Sequence, residues 1–255
     1  MIVLLQKMSR APNWYLDPLV AAQKRTVHVE WIRRNVSVSR VPVMLKTDLF
    51  EEANGEDQLL FCLPFEAGLK IGMDIDPATV QRASSRSTCC ASRFVVADCR
   101  GLPFPDGSMD VVLSNSTLDH FLARGDLETS IRELVRVLKP GGLLLVTLDN
   151  PQNPLYLLFR PSLGWWRLAP RLGRTASQRK LVSMMETVGL QVLTTDWLIH
   201  NPRFVSTLLF LGVRRLCGRR ADRVICGLLR AFQGLDRLPT RAYSAVFVAA
   251  CGRKA

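Results

Sequence analysis

Between residues 41 and 150 the chain alternates short apolar runs with amphipathic stretches. Val41 to Leu45 reads as a first strand, with Pro42 tolerated because it stands near the strand start. Glu51 to Leu63 reads as a helix whose beginning Asn54-Gly55 can delay. Leu69 to Asp74 is a second strand. Asp76-Pro77 then opens a helix through Val80 and Ala83, the Asp as cap and the Pro at the first helical position. Arg93 to Ala97 is a third strand. Asp110 to Ser114 is a fourth, nearly continuous in apolar residues, as expected of a strand covered on both faces of a parallel sheet. Leu127 to Leu138 places Ile131, Leu134, Val135 and Leu138 on one helical face. Pro140-Gly141-Gly142 ends that helix and leads into a fifth strand, Leu143 to Leu148. Strands alternating with helices of this size predict an α/β fold with a parallel sheet and right-handed crossovers.

The flanks read differently. Asp17-Pro18 repeats the cap pattern and opens a helix carrying Leu19, Val20 and Ala22 toward Trp31 and Ile32. Residues 1–40 are therefore expected to form an N-terminal helical extension to a domain spanning 41–255. After Asn150, Pro151 to Arg174 is rich in Pro, Gly, Trp and Arg, so 151–176 reads as a connector or lid. Ser177 to Val188 follows as a helix, Leu190 to Ile199 as a strand, Arg203 to Gly234 as the body of a basic helical insertion over 203–238, and Tyr243 to Cys251 as the last strand. The apolar run Val205 to Val213 is too short to span a bilayer.

Composition sharpens this picture only in part. A hydrophobic content of 48% suits a sizeable core, and the net charge of +12 points either to an anionic partner or, more plainly, to solvated faces that use arginine. The seven cysteines form no C-x-x-C pair and have no histidine at ligand spacing. No metal is expected, and reduced thiols suit the cytoplasm. Met1 to Leu5 is apolar but lacks a signal-like cleavage region.

In open α/β sheets, ligands bind beyond the carboxyl ends of the strands, where strand order reverses. Asp74 stands at such an end and can accept hydrogen bonds from both hydroxyls of a ribose; the rival role of helix cap suits Asp76 better. Asp98 ends the third strand in the same manner, as an acceptor for an exocyclic amine beside the Cys99 backbone, or as an ordinary turn aspartate. The order of signals decides between these. Ile71-Gly72-Met73-Asp74-Ile75-Asp76-Pro77, then Asp98 to Asp110 through Leu102-Pro103-Phe104, then Asp110 to Asn115, then Lys139-Pro140-Gly141-Gly142 resemble, in register, the motifs of class I S-adenosylmethionine-dependent methyltransferases.

The resemblance covers roughly Val41 to Asn150. It implies a doubly wound, mostly parallel seven-stranded sheet with helices on both faces and an antiparallel last strand. It also implies S-adenosylmethionine as cofactor, held by Thr47, Asp48, Asp74, Ile75, Asp98, Cys99, Ser114 and Asn115. One departure stands out. Where the family's glycine-rich first loop belongs, this chain has Leu45-Lys46-Thr47-Asp48-Leu49-Phe50-Glu51-Glu52-Ala53-Asn54-Gly55. Asp48 or Glu51 is then expected to attract the cofactor's ammonium and Lys46 its carboxylate, unless the loop has lost cofactor affinity. The same acidic, bulky loop is a poor phosphate cradle, which disfavours a nicotinamide enzyme.

Methyl transfer needs a general base only if the acceptor must lose a proton. His120, with Asp119 next to it, lies just past the fourth strand and is the candidate; both residues could instead orient the following helix. His200 is a weaker second candidate, and His28 is placed in a helix away from the chemistry. The expected partner is a small, hydrophobic acceptor. Nucleic acid is disfavoured, a peripheral membrane contact by the basic insertion stays open, and a non-catalytic scaffold or an RNA methyltransferase are the alternatives.

Overall fold

The computed structural model describes residues 17–54, 58–87, 91–123, 125–154, 173–201 and 203–255, without the side chains of 203–205, 207 and 208. The strands are β1 (Arg40–Thr47), β2 (Glu66–Asp74), β3 (Ser92–Val96), β4 (Met109–Asn115), β5 (Leu138–Asp149), β6 (Leu190–Leu198) and β7 (Phe247–Lys254). They form one seven-stranded sheet in the order β3-β2-β1-β4-β5-β7-β6. All neighbours are parallel except β7, which runs antiparallel to both β5 and β6. This is the doubly wound arrangement with an antiparallel last strand.

Helices α1 (Pro18–Asn35), α2 (Phe50–Asn54), α3 (Pro77–Arg86), α4 (Asp126–Val137) and α5 (Gln178–Thr187) cover the sheet, and α6 (Arg203–Cys217), α7 (Ala221–Gln233) and α8 (Arg241–Ser244) precede β7. The strand period of two divides the core between the faces. Val112, Leu144, Val146, Leu148, Val248 and Ala250 meet α4 and α5 on one side. Val111, Leu113, Leu145, Phe247, Ala249 and Cys251 meet α1, α2 and α3 on the other. Each such valine, leucine or phenylalanine side chain contributes about 1.5–3 kcal/mol by leaving water.

Caps fix the helix starts. Asp17 accepts the Leu19 N–H, and Asp76 accepts those of Ala78 and Thr79, each with Pro in the first turn. Ser177 caps α5 through the Lys180 N–H.

Several boundaries differ from the pattern reading. The helix expected over Glu51 to Leu63 is seen over Phe50–Asn54 and does not reach Leu63, because Gln58, with φ 46°, begins a turn that buries Leu59 and Leu60. The Pro-Gly-Gly run does not separate helix from strand. β5 begins at Leu138 directly after α4 and carries Pro140, Gly141 (φ 77°) and Gly142 through an irregular register with β4. Only a residue without a side chain fits at Gly142, where a Cβ would lie 2.9 Å from the Lys139 carbonyl. The last strand starts at Phe247 rather than Tyr243, because Arg241–Ser244 makes a helical turn first. The basic insertion is two helices joined by a turn at Gly218–Arg220. Most of the expected connector or lid lies outside the described residues, as do Cys89 and Cys90.

Candidate active site

β1 and β4 are neighbours although they are not consecutive, so the sheet reverses its strand order between them and opens a crevice at their carboxyl ends. Thr47 and Ser114 face each other there in register. The Thr47 hydroxyl donates to the Ser114 Oγ at 3.1 Å and lies 2.7 Å from the Thr117 Oγ1, and both Thr47 and Ser114 are fully buried. These two predicted residues thus form a hydroxyl cluster that knits the strand ends, together with Thr117, which the sequence pattern did not mark.

Immediately beyond each of three strands the backbone enters the left-handed region: Asp48 after β1 (φ 65°), Ser116 after β4 (φ 49°) and Ile199 after β6 (φ 60°). Asp tolerates this conformation better than most residues. Asp48 therefore makes the sharp exit for which a glycine loop would otherwise serve. Its Oδ1 accepts the Phe50 N–H and starts α2.

Below that exit lies a buried ion pair. Lys46 Nζ donates to Glu52 Oε2 at 2.9 Å and to the Asp48 carbonyl, and Lys46 and Glu52 are both fully enclosed. The expectation that Lys46 meets a cofactor carboxylate is corrected by this pairing. Glu51 is likewise engaged, ion-paired with Lys24 of α1. Burial pushes its carboxyl up, but Lys24 and Lys46 outweigh it and hold the group at about 2. Asp48 behaves oppositely. Burial comes first, and with repulsion from Asp74 and Glu51 it overcomes the attraction of Lys46 and raises the carboxyl to about 6.

Asp74 closes β2, its Oδ2 accepting the Leu49 N–H and its Oδ1 the Asp76 N–H, each at 2.9 Å. Each carboxylate oxygen keeps a second lone pair. Next to it Ile75 is 63% exposed, an apolar surface at the rim of the crevice.

Asp98 is gripped by Arg100, whose Nη2 reaches its Oδ2 at 2.6 Å while Nε spans both oxygens. That guanidinium keeps the Asp98 carboxyl below the usual range, and it also pairs with Asp126 and lies 5.3 Å over the Phe121 ring. An exocyclic amine would have to share Asp98 with Arg100, a partner that the sequence reading passed over although it stands two residues away. Cys99 is buried, which pushes its thiol up to about 12.

Asn115 is buried and its Oδ1 accepts the Thr147 hydroxyl at 2.7 Å. Asp119 turns inward: its Oδ2 accepts the Asp149 N–H at 2.6 Å and the Ser116 hydroxyl at 3.2 Å. His120 points outward, 58% exposed, with Nε2 3.9 Å from Asp119 Oδ1. Gly173 packs against the carbonyls of this turn, and Arg174 donates to those of Phe121 and Leu122.

His200 is elsewhere, beyond β6 and therefore three positions from β4 along the sheet. Burial depresses its basicity, and its ring contacts Ser244 at 2.8 Å and Asp236 at 3.4 Å. His28 is buried against Phe247. Among the described residues no group of three or more His, Cys, Asp or Glu is placed to hold a metal.

A family profile described as "Methyltransferase domain" matches residues 55–146. The chain is 33% identical over 146 residues to the 2-methyl-6-phytyl-1,4-hydroquinone methyltransferase of Synechocystis sp., a match covering 54% of this chain and 45% of that protein. It is 32% identical over 144 residues to the ubiquinone/menaquinone biosynthesis C-methyltransferase UbiE of Azotobacter vinelandii, covering 49% and 53%. The chain thus spans about half the length of the curated relatives it matches. Its fold matches an S-adenosylmethionine dependent methyltransferase from Mesorhizobium loti at a TM-score of 0.59 and 16% identity, over 88% of this chain and 96% of that one. The strand order, the motifs from Asp74 to Gly142 and these likenesses agree: residues 55–146 match a methyltransferase domain, and the chain is similar to class I S-adenosylmethionine-dependent methyltransferases in sequence and fold.

Proposed function

We propose that this chain transfers a methyl group from S-adenosylmethionine to a small, hydrophobic acceptor. The observation that carries the reading is the crevice at the carboxyl end of β1, where Asp48 lies close enough to Asp74 to be repelled by it and where burial, more than that repulsion, raises the Asp48 carboxyl to about 6. A cation is what such a pair of carboxylates lacks. Asp74 then takes the ribose hydroxyls on its remaining lone pairs, Ile75 lies against the adenine, Asp98 with the Cys99 backbone meets its polar edge, and Asp48 faces the ammonium. Thr47, Ser114 and Asn115 hold the floor of the crevice beneath the cofactor. When bound, the cofactor supplies an electrophilic methyl on a sulfonium.

The protein's own work is then positioning for an in-line displacement, which can supply much of the rate. His120 is the residue that removes a proton from a carbon or hydroxyl acceptor, exposed where the acceptor enters. Asp119 is the positioning residue that fixes its turn through Asp149 and Ser116. The exposed Leu122 beside this turn and the hydroquinone and quinone chemistry named for the two relatives support a hydrophobic acceptor. The cysteine pattern alone supports the cytoplasm as its compartment.

Calorimetry with S-adenosylhomocysteine tests the cofactor half. Micromolar binding is expected, and a folded chain that shows no heat at high ligand concentration is a scaffold instead. Methyl-labelled cofactor incubated with a lipid extract, and separately with RNA, tests the acceptor half. Label is expected in the lipid fraction and absent from it in His120→Gln; label in RNA transfers the assignment to the nucleic-acid alternative.

A further inference from the structure

The α6–α7 hairpin carries charge and apolar surface that the methyl-transfer reading does not use. Its inner side is a small core of its own, Phe210, Ile225 and Leu229 packed with Leu19 and Val20 of α1. Arg214 belongs to this anchorage, paired with Asp17 at 2.6 Å and with Asp222 at 3.0 Å. The tip is different. Leu216, in the last turn of α6, is 86% exposed, the most exposed large hydrophobic side chain among the described residues. Arg215, Arg219, Arg220 and Arg223 surround it in sequence, all exposed and all without an acidic partner among the described residues. Val224, 39% exposed, extends the apolar surface onto α7. From Arg203 to Gln233 the sequence holds seven arginines against the single acid Asp222.

A leucine held in water at a helix end within a ring of unpaired arginines fits the boundary between lipid headgroups and acyl chains. The guanidinium groups meet anionic headgroups while the leucine enters the apolar layer. RNA would match the charge, but residues 215–224 present no aromatic ring for a base to stack on. No helix among the described residues is long and apolar enough to cross a membrane, so the contact is one of surface docking. We propose that the tip of the α6–α7 hairpin docks this chain on an anionic lipid bilayer, with Leu216 as the inserted anchor and Arg215, Arg219, Arg220 and Arg223 as the headgroup contacts.

This reading stands apart from methyl transfer, since it is measured without cofactor or acceptor. In vesicle flotation the purified full chain is expected to rise with phosphatidylcholine vesicles that contain phosphatidylserine and not with phosphatidylcholine alone, and added salt should release it. The triple variant Arg219→Gln/Arg220→Gln/Arg223→Gln should lower the partition by about a hundredfold. Leu216→Asn should lower it by about tenfold. Both variants alter exposed positions, so an unchanged Tm is the control for folding. Absence from anionic vesicles, equal recovery with neutral and anionic vesicles, or an undiminished partition of the triple variant overturns the proposal. An RNA oligonucleotide bound through the same arginines, with no dependence on Leu216 and no vesicle binding, overturns it in favour of nucleic acid.

Discussion

The two edges of the sheet carry charged motif residues in similar numbers and use them in opposite ways. At the amino edge Asp110, Lys139 and Lys254 each meet a partner. Asp110 accepts from Lys139 at 2.8 Å and from the Val43 N–H at 2.9 Å, tying β4 to β5 and β1. Lys254 donates to the carbonyls of Val135, Arg136 and Leu138, closing the end of α4 with a cation where the helix dipole favours one. At the carboxyl edge Asp48, Glu51 and Asp74 crowd together, and three strands leave through left-handed residues. Left-handed residues and close carboxylates gather at the edge where the proposed cofactor site lies, and the opposite edge holds the fold together. Motif residues of equal prominence in the sequence therefore divide into two kinds. Asp110 and Lys139 are fastenings, whereas Asp74 and Asp48 face the crevice.

The buried pair beneath the crevice is the exception that tests this division most severely. Lys46 and Glu52 lie at the functional edge but act as fastenings: Glu52 also accepts the Leu60 N–H at 2.8 Å, holding the turn that follows α2. Lys46→Met should cost about 3–5 kcal/mol in urea unfolding, because it strands a buried carboxylate. The double variant Lys46→Met/Glu52→Leu should recover much of that loss. A single variant that unfolds like the wild type would mean that water reaches the pair.

Asp74→Ala and Asp110→Ala compare the two edges directly. Loss of Asp74 should weaken S-adenosylhomocysteine binding by ten- to a hundredfold, the worth of charged hydrogen bonds. The structure adds a second effect, about 1–2 kcal/mol of stability, since the Leu49 and Asp76 amides lose their acceptor. Asp110→Ala should cost a similar 1–2 kcal/mol, the partly exposed Lys139 pair adding little. Calorimetry should then find its ligand affinity unchanged. A fall in affinity for Asp110→Ala equal to that for Asp74→Ala would erase the distinction between the edges.

The sequence made the sheet legible because each strand from β2 to β5 is an apolar run bounded by residues with strong local preferences, such as Asp76-Pro77. It marked Asp74 as a candidate for the same reason, since another acid already serves as cap there, but it did not show that Asp74 also accepts the Leu49 and Asp76 amides. It hid what depends on contacts between distant segments. Lys46 looked available because nothing in the residue pattern marks Glu52, six residues on, as its buried partner, and the Lys24–Glu51 pair joins α1 to α2 across 27 residues. Arg100 was close in sequence but silent, because nothing in its type announces that it will grip Asp98. The inward turn of Asp119 follows from the left-handed Ser116, a conformation that serine does not advertise.

The smallest expected effect separates fold from function at a single residue. The Asp48 carboxyl sits at about 6 in the folded chain against an ordinary value of 3.8. A group whose folded value is raised contributes stability that is fully present below the lower value and lost as pH rises through the upper one. Without ligand, the chain should therefore become less stable between about pH 4 and 6 on account of Asp48. Glu51, lowered to about 2, acts in the opposite sense, its contribution disappearing only as pH falls below 4.5. Ligand binding should follow the charge instead: an ammonium facing Asp48 is held better once the proton leaves, so S-adenosylhomocysteine affinity should rise about three- to tenfold between about pH 5 and 7. Asp48→Asn should flatten both curves. Opposite slopes in the wild type, joined in one side chain, are the signature of a buried carboxylate that faces a cation only when ligand is bound; parallel slopes would place the ammonium elsewhere.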